Sequence, residues 1–278
     1  MKTFNSFYTI VLLALTLTSC TKIIDFDLED SEPVVIIEAM ITDRPEPQIV
    51  KLSLSGPYYG KNTTPALSGA EVTINDSLET HVLTETEPGI YKTAVNFVGK
   101  DRRTYRLSVK HEGKEYTAEA YMHPKVLFDT IKVDWAKSFI TGERDTAEYA
   151  ILFSGQEPST KGNIYMWHYS INRVLETDTL RNVFVQNDDF VNGTYFFDFP
   201  FYEFPKRKVK VGDTVLVEMF SISEEYETFH NAVLLETDFR GFLFDGPPAN
   251  VPTNIKGGAL GFFSAAGVFG KYTIVPNL

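Results

Sequence analysis

Apolar and polar residues alternate along this chain in short blocks, most of them too brief for helices. Val34 to Ile41 (VVIIEAMI) is a largely apolar run of the kind a buried strand shows. Val50-Lys51-Leu52-Ser53-Leu54 alternates with period two, one face in and one face out. Further blocks follow at Ala70 to Asn75, Gly89 to Val95, Thr104 to Lys110 and Glu115 to Tyr121. Turn formers separate them: Ser55-Gly56-Pro57, Asn75-Asp76-Ser77, Glu87-Pro88-Gly89 and His111-Glu112-Gly113-Lys114. Strands at this spacing predict an immunoglobulin-like β-sandwich over residues 34–123, although the Cys–Trp–Cys core of an antibody domain is absent.

Pro124 is the predicted boundary to a second β-rich domain, 124–278. Its strand blocks are Asp129 to Trp135, Glu148 to Ser154, Ile164 to Asn172, Asn182 to Asn187, Lys206 to Val211 and Thr214 to Ile222. Tyr165-Met166-Trp167-His168-Tyr169 places aromatic side chains on both faces of one strand. Val211-Gly212-Asp213-Thr214 reads as a hairpin turn of the Gly-Asp type. One helix is expected near 222–237, capped by Ser221 with Glu224 as its capping box. Tyr226, Phe229 and Val233 share one face of it, which suits a lid on the core. Gly241 to Gly258 is rich in Gly and Pro and predicts irregular chain. Ala259 to Ala265 and Val268 to Val275 then read as a closing pair of strands. The fold class is therefore all-β, a sandwich followed by a β-rich domain with one short helix.

The first 19 residues carry a different pattern. Lys2 precedes an uncharged apolar stretch, Phe7 to Leu17, which has signal-peptide length and is too short to span a bilayer. Leu17-Thr18-Ser19-Cys20 has the form of a bacterial lipobox, with Cys20 as the residue that takes the lipid. Residues 20–33 then form an acidic tether bearing Asp25, Asp27, Glu29, Asp30 and Glu32. Three readings of the tether stand: a solvated linker; a surface-export tag of the Lys-plus-acidic kind, with Lys22 ahead of Asp25 and Asp27; and, weakest, calcium binding by Asp25-x-Asp27, for which the fixed loop that calcium needs is not evident. The expected location on these signals is the cell envelope, lipid-anchored, with the tag reading of the tether favouring the cell surface over the periplasmic face.

Composition narrows the chemistry. Cys20 is the only cysteine, so no intramolecular disulfide forms and no thiol redox or zinc site is expected. A net charge of -11 argues against non-specific nucleic-acid binding. His81, His111, His123, His168 and His230 lie far apart, without metal-ligand spacing. Ser264 lacks the nucleophile-elbow context, and no phosphate loop or dinucleotide fingerprint is present. Asp188 and Asp189 are neighbours that would point to opposite faces, which suits a solvated loop better than a shared substrate. No catalytic residue, metal or cofactor is therefore expected, and the chain does not read as an enzyme.

Two clusters remain. Phe190, Tyr195, Phe196, Phe197, Phe199, Phe201, Tyr202 and Phe204 crowd a short stretch interrupted by Pro200. They read either as core or as an exposed partner surface centred on Phe199, Phe201, Tyr202 and Phe204. Five Asp-Ser/Thr-aliphatic triplets resemble an O-glycosylation motif of exported Bacteroidetes proteins. They make Ser77, Thr130, Thr146, Thr179 and Thr214 candidate modification sites.

Several segments, in order, resemble one known family. Asn254-Ile255-Lys256-Gly257-Gly258 followed by Gly261-Phe262-Phe263 is similar to the C-terminal signature of Bacteroidetes lipoproteins grouped as domain of unknown function 4249. Val35 to Asp43, Ser68 to Ile74, Pro88 to Lys92, Arg103 to Leu107 and Ser223 to Tyr226 resemble it too. The resemblance implies an outer-membrane lipoprotein often encoded beside a TonB-dependent receptor, and it implies no catalytic residues. The expected role is an accessory protein that docks on a TonB-dependent outer-membrane transporter and assists cargo capture. A stand-alone surface module for glycan or protein is the second reading, and a hydrolase the third.

Overall fold

The computed structural model describes residues 32–56, 64–138, 141–238 and 249–278. The leader 1–19, Cys20 and the tether as far as residue 31 lie outside the described residues. The fold is all-β, with a single α-helix among the described residues.

Three sheets carry it. The largest has nine strands in the order β12 (Val174–Leu175), β11 (Ile164–Ile171), β15 (Thr214–Ile222), β16 (Leu260–Ile274), β1 (Val35–Thr42), β2 (Ile49–Leu54), β6 (Ile90–Lys92) and β5 (Thr84–Glu87). Its ninth strand, β13 (Phe184–Asn187), also pairs with β11. A four-stranded sheet runs β4 (Thr80–Val82), β3 (Glu71–Asn75), β7 (Thr104–His111), β8 (Lys114–Tyr121). A three-stranded sheet runs β14 (Tyr195–Pro205), β10 (Arg144–Gln156), β9 (Thr130–Lys137).

Strand β16 joins the segments on either side of Pro124. Its first half pairs in parallel with β1, from Ile36 opposite Leu260 to Thr42 opposite Ala266. Its second half pairs antiparallel with β15, from Ser221 opposite Gly267 to Thr214 opposite Ile274. The expected closing pair of strands is thus one strand. The chain needs no turn at Ala266 and Gly267, because its hydrogen bonding passes there from β1 to β15.

Alternation decides which faces are buried. In β7, Tyr105, Leu107 and Val109 point into one core with Ile37, Leu52, Ile74 and Phe263. In β11 both faces are covered: Tyr165, Trp167 and Tyr169 face a second core with Val133, Ile151 and Val217. On the other face Ile164 and Met166 meet Phe220, Val268 and Tyr226 of the helix α1 (Glu224–Asp238). Tyr226 and Phe229 also contact Phe262, with ring centroids 5.6 and 4.9 Å away. The helix face read from the sequence therefore does cover apolar surface.

Other local readings change. The helix is capped by Ser223, whose Oγ accepts from the backbone N–H of Tyr226 at 3.3 Å. Ser221 cannot cap, because β15 remains paired with β11 as far as Ile222 and holds Ser221 extended. Lys206 to Val211 is not a strand: Lys206–Lys208 forms a 3-10 turn, and only Val209 turns inward. Three consecutive cations give that segment no apolar face to bury. The Gly212-Asp213 turn, closed by Asp213 N–H to the Lys210 carbonyl at 3.0 Å, consequently leads into β15 rather than joining two strands.

Candidate ligand-binding cleft

The aromatic-rich stretch is the edge strand β14, paired with β10. Two register shifts interrupt that pairing, between Ile151 and Leu152 and between Phe153 and Gly155, and Pro200 sits opposite Leu152. Proline is tolerated here because an edge strand has one unpaired side. Asp198 takes a positive φ of 45° beside Phe199. Bulges of this kind re-aim side chains, and they leave Phe196 and Phe199 both against Phe153, at 5.1 and 5.8 Å between centroids.

Phe153 in turn meets Trp167 of β11 at 5.1 Å, and Phe128 meets Trp167 at 5.6 Å. Gly155 makes this approach feasible, since a Cβ there would stand 2.9 Å from the Phe128 Cβ. These rings, with Phe184 and Met219, wall a half-open cavity of ≈ 170 Å³ between β10, β14 and β11. A second, more polar cavity of ≈ 520 Å³ shares Val126, Leu127, Gln156 and Tyr165 with it.

One end of the aromatic cleft is polar. Glu157 is only 6% exposed. Its Oε1 accepts from the Tyr165 hydroxyl at 2.9 Å and from Asn163 Nδ2 at 3.2 Å. Asp188, 1% exposed, is tied into the same network. It accepts from Gly162 N–H at 3.0 Å, and from Asn163 and Asn192 side-chain amides at 3.3 Å each. Burial first, then the charge of Asp188, hold the Glu157 carboxyl above its ordinary range, against the donors Tyr165 and Asn163. Burial and the Glu157 hydrogen bond push the Tyr165 hydroxyl far up, so it stays a donor. Asp188 is thus a buried member of a polar network and not part of a solvated loop, while its neighbour Asp189 is exposed.

The candidate partner residues divide. Phe199, 43% exposed, lies at the cleft. Phe201 is half-buried against Trp167, 4.9 Å between centroids. Tyr202 packs on Tyr169 at 4.7 Å and donates to the Asn182 carbonyl. Phe204, 2% exposed, is core and offers nothing to a partner. The outward aromatics are Phe190, Tyr195 and Phe197, the last 75% exposed. Phe128, Phe153, Trp167 and Glu157 were not singled out as site residues from the sequence. The signal for Trp167 was present in the period-two series Tyr165, Trp167, Tyr169, whereas Glu157 follows β10 with no motif around it.

The candidate modification sites Ser77, Thr130, Thr146, Thr179 and Thr214 are all exposed, and Ser77 Oγ also donates to the Thr104 carbonyl at 2.8 Å. His168 contacts Thr177 Oγ1 at 2.8 Å and sits against Phe220. Among the described residues no cluster of His, Cys, Asp and Glu is arranged to hold a metal, and no helix is long and apolar enough to cross a membrane.

The C-terminal signature has a structural role. The Asn254 amide donates to the carbonyls of Phe263 at 2.7 Å and Glu119 at 3.2 Å, and its Oδ1 accepts the Phe263 N–H at 3.0 Å. It thereby locks the entry to β16 between β8 and the central sheet. No curated protein matches the chain. The family described as Domain of unknown function (DUF4249) matches residues 21–271, and with nearly the whole chain inside that match, the protein belongs to this family.

Proposed function

We propose that the protein is a lipid-anchored binding protein of the outer membrane. On this reading it captures a small ligand in the aromatic cleft and works beside a TonB-dependent transporter. The observation that carries it is the cleft itself: concave, walled by rings from four strands and the loop before β9, and ended by one polar network, as ligand sites commonly are. The lipobox around Cys20 supports the anchor, and the acidic tether supports reach from the membrane. The transporter rests on the family resemblance and on Phe190 and Phe197, exposed aromatics available for contact with a partner. The second reading is a stand-alone surface-binding module, favoured by a cleft whose described lining all comes from this chain.

The test is mild-detergent affinity purification of the tagged native lipoprotein, with mass spectrometry of proteins and of an organic extract. A transporter at near-equal stoichiometry, with a small molecule lost from a cleft-filled Val191→Trp variant, is the expected outcome. An intact, surface-labelled bait that comes alone would leave the stand-alone module. An extract identical for both proteins would remove ligand capture.

A further inference from the structure

The cleft offers a carboxylate and no cationic donor, and its neutral donors are few: among the described residues, the Trp167 indole N–H and one N–H each of Gln186 and Asn187 have no partner. Gln156 Nε2 is committed to the carbonyls of Glu157 and Gly193, at 2.9 and 3.0 Å. Gln186 Nε2 donates to the Asn187 carbonyl at 2.8 Å, and Asn187 Nδ2 reaches Glu227 at 3.4 Å. The Tyr165 hydroxyl proton is spent on Glu157 Oε1, which also receives Asn163. Both of those donors fall on Oε1, and no described residue donates to Oε2. The described lining carries no Arg, Lys or His.

We infer, resting on the reading of the cleft as the ligand site, that it takes a compact ring bearing a hydrogen-bond-donating head group, cationic in the best case, and rejects anionic ones. The volume suits one ring: ≈ 170 Å³ compares with the roughly 150 Å³ apolar cavity known to admit benzene. A protonated amine would meet Glu157 Oε2 in a charge-assisted hydrogen bond. It would also lie among ring faces that attract cations through their quadrupole. A carboxylate or phosphate placed there would face Glu157, with Asp188 behind it, and would lose its hydration without a cationic donor in return. The overall charge of -11 favours the approach of cations as well.

Benzylamine, benzyl alcohol and phenylacetate share the ring and differ in the head group. Binding of each to the full chain in detergent is measured by ligand-observed NMR and by tryptophan fluorescence. The expected order is benzylamine tighter than benzyl alcohol by about five- to tenfold, with phenylacetate weakest. Glu157→Gln keeps the shape, but with its amide oxygen still taking Tyr165 and Asn163 it turns an N–H toward the ligand; benzylamine should fall to the level of the alcohol or below, while the alcohol, which accepts as well as donates, changes little. Val191→Trp should abolish binding of both. Phenylacetate binding as well as benzylamine, or an undiminished gap in Glu157→Gln, would overturn the head-group inference while leaving the cleft as a site. Were Glu157→Gln not to fold, the order on the wild-type chain alone decides. Binding of none of the three, or binding that survives Val191→Trp, would overturn the inference together with the reading beneath it.

Discussion

Gly261 and Gly212 offer a controlled pair for the claim that β16 is clamped against β1. Both take nearly the same backbone conformation, with φ of 94° and 93°. Their surroundings differ. A Cβ on Gly261 would stand 2.1 Å from the Ile37 carbonyl oxygen and 2.9 Å from its carbon, whereas one on Gly212 meets nothing within 4 Å. Gly212→Ala therefore isolates the conformational cost, about 1–2 kcal/mol. Gly261→Ala adds the cost of forcing β1 and β16 apart where Ile37 lies opposite Gly261, about 1–3 kcal/mol for overpacking. The expected loss is then about 2–5 kcal/mol, with the excess over Gly212→Ala appearing as a lower urea midpoint at unchanged slope. Equal losses for the two variants would refute the clamp, since backbone conformation alone would then explain both.

Phe204→Ala should cost about 3–5 kcal/mol and Phe197→Ser no more than about 0.5, read by thermal or urea unfolding, because the first empties core and the second touches solvent. Burial first, then Arg44, push His168 down to about 4. A folded value below the unfolded one, about 6.5, means protonation favours the unfolded chain. Stability should therefore decline as pH falls from about 6.5 toward 4, less so in His168→Gln, and the ring should show no NMR titration between pH 5 and 8; a midpoint near 6.5 would contradict this. Cys20→Ser should leave the chain unlabelled by radioactive palmitate and free of the membrane fraction, while continued membrane association would count against the lipobox reading.

Much of the strand pattern was legible because buried faces impose period two: β1, β7, β8, β11 and β15 all lie where alternating or apolar blocks place them. Topology was not. That Leu260–Ile274 is one strand depends on a change of partner from β1 to β15, which no local pattern records. Strand β14 was hidden by its own crowding, because aromatics on both faces around Pro200 erase the alternation that marks a strand. The cap moved from Ser221 to Ser223 because cross-strand pairing with β11 overrode a local capping box. The site was legible only in part. Its ring at Phe199 lies in the aromatic cluster, but its base at Trp167 comes from β11 and its polar end at Glu157 from the residue after β10, both distant in sequence. Asp188 looked solvated because its partners, Gly162 and Asn163, sit on another loop.

The most direct test of the cleft is diffraction from crystals of the protein under xenon pressure. Xenon enters apolar cavities that are large enough and dry. Bound xenon between Phe153, Trp167 and Phe199 is the expected result, with Glu157 and Tyr165 still hydrogen-bonded beside it. A cleft closed by those rings, with xenon only elsewhere, would show that the aromatic cluster is packing and that the protein binds its ligand, if any, at another surface.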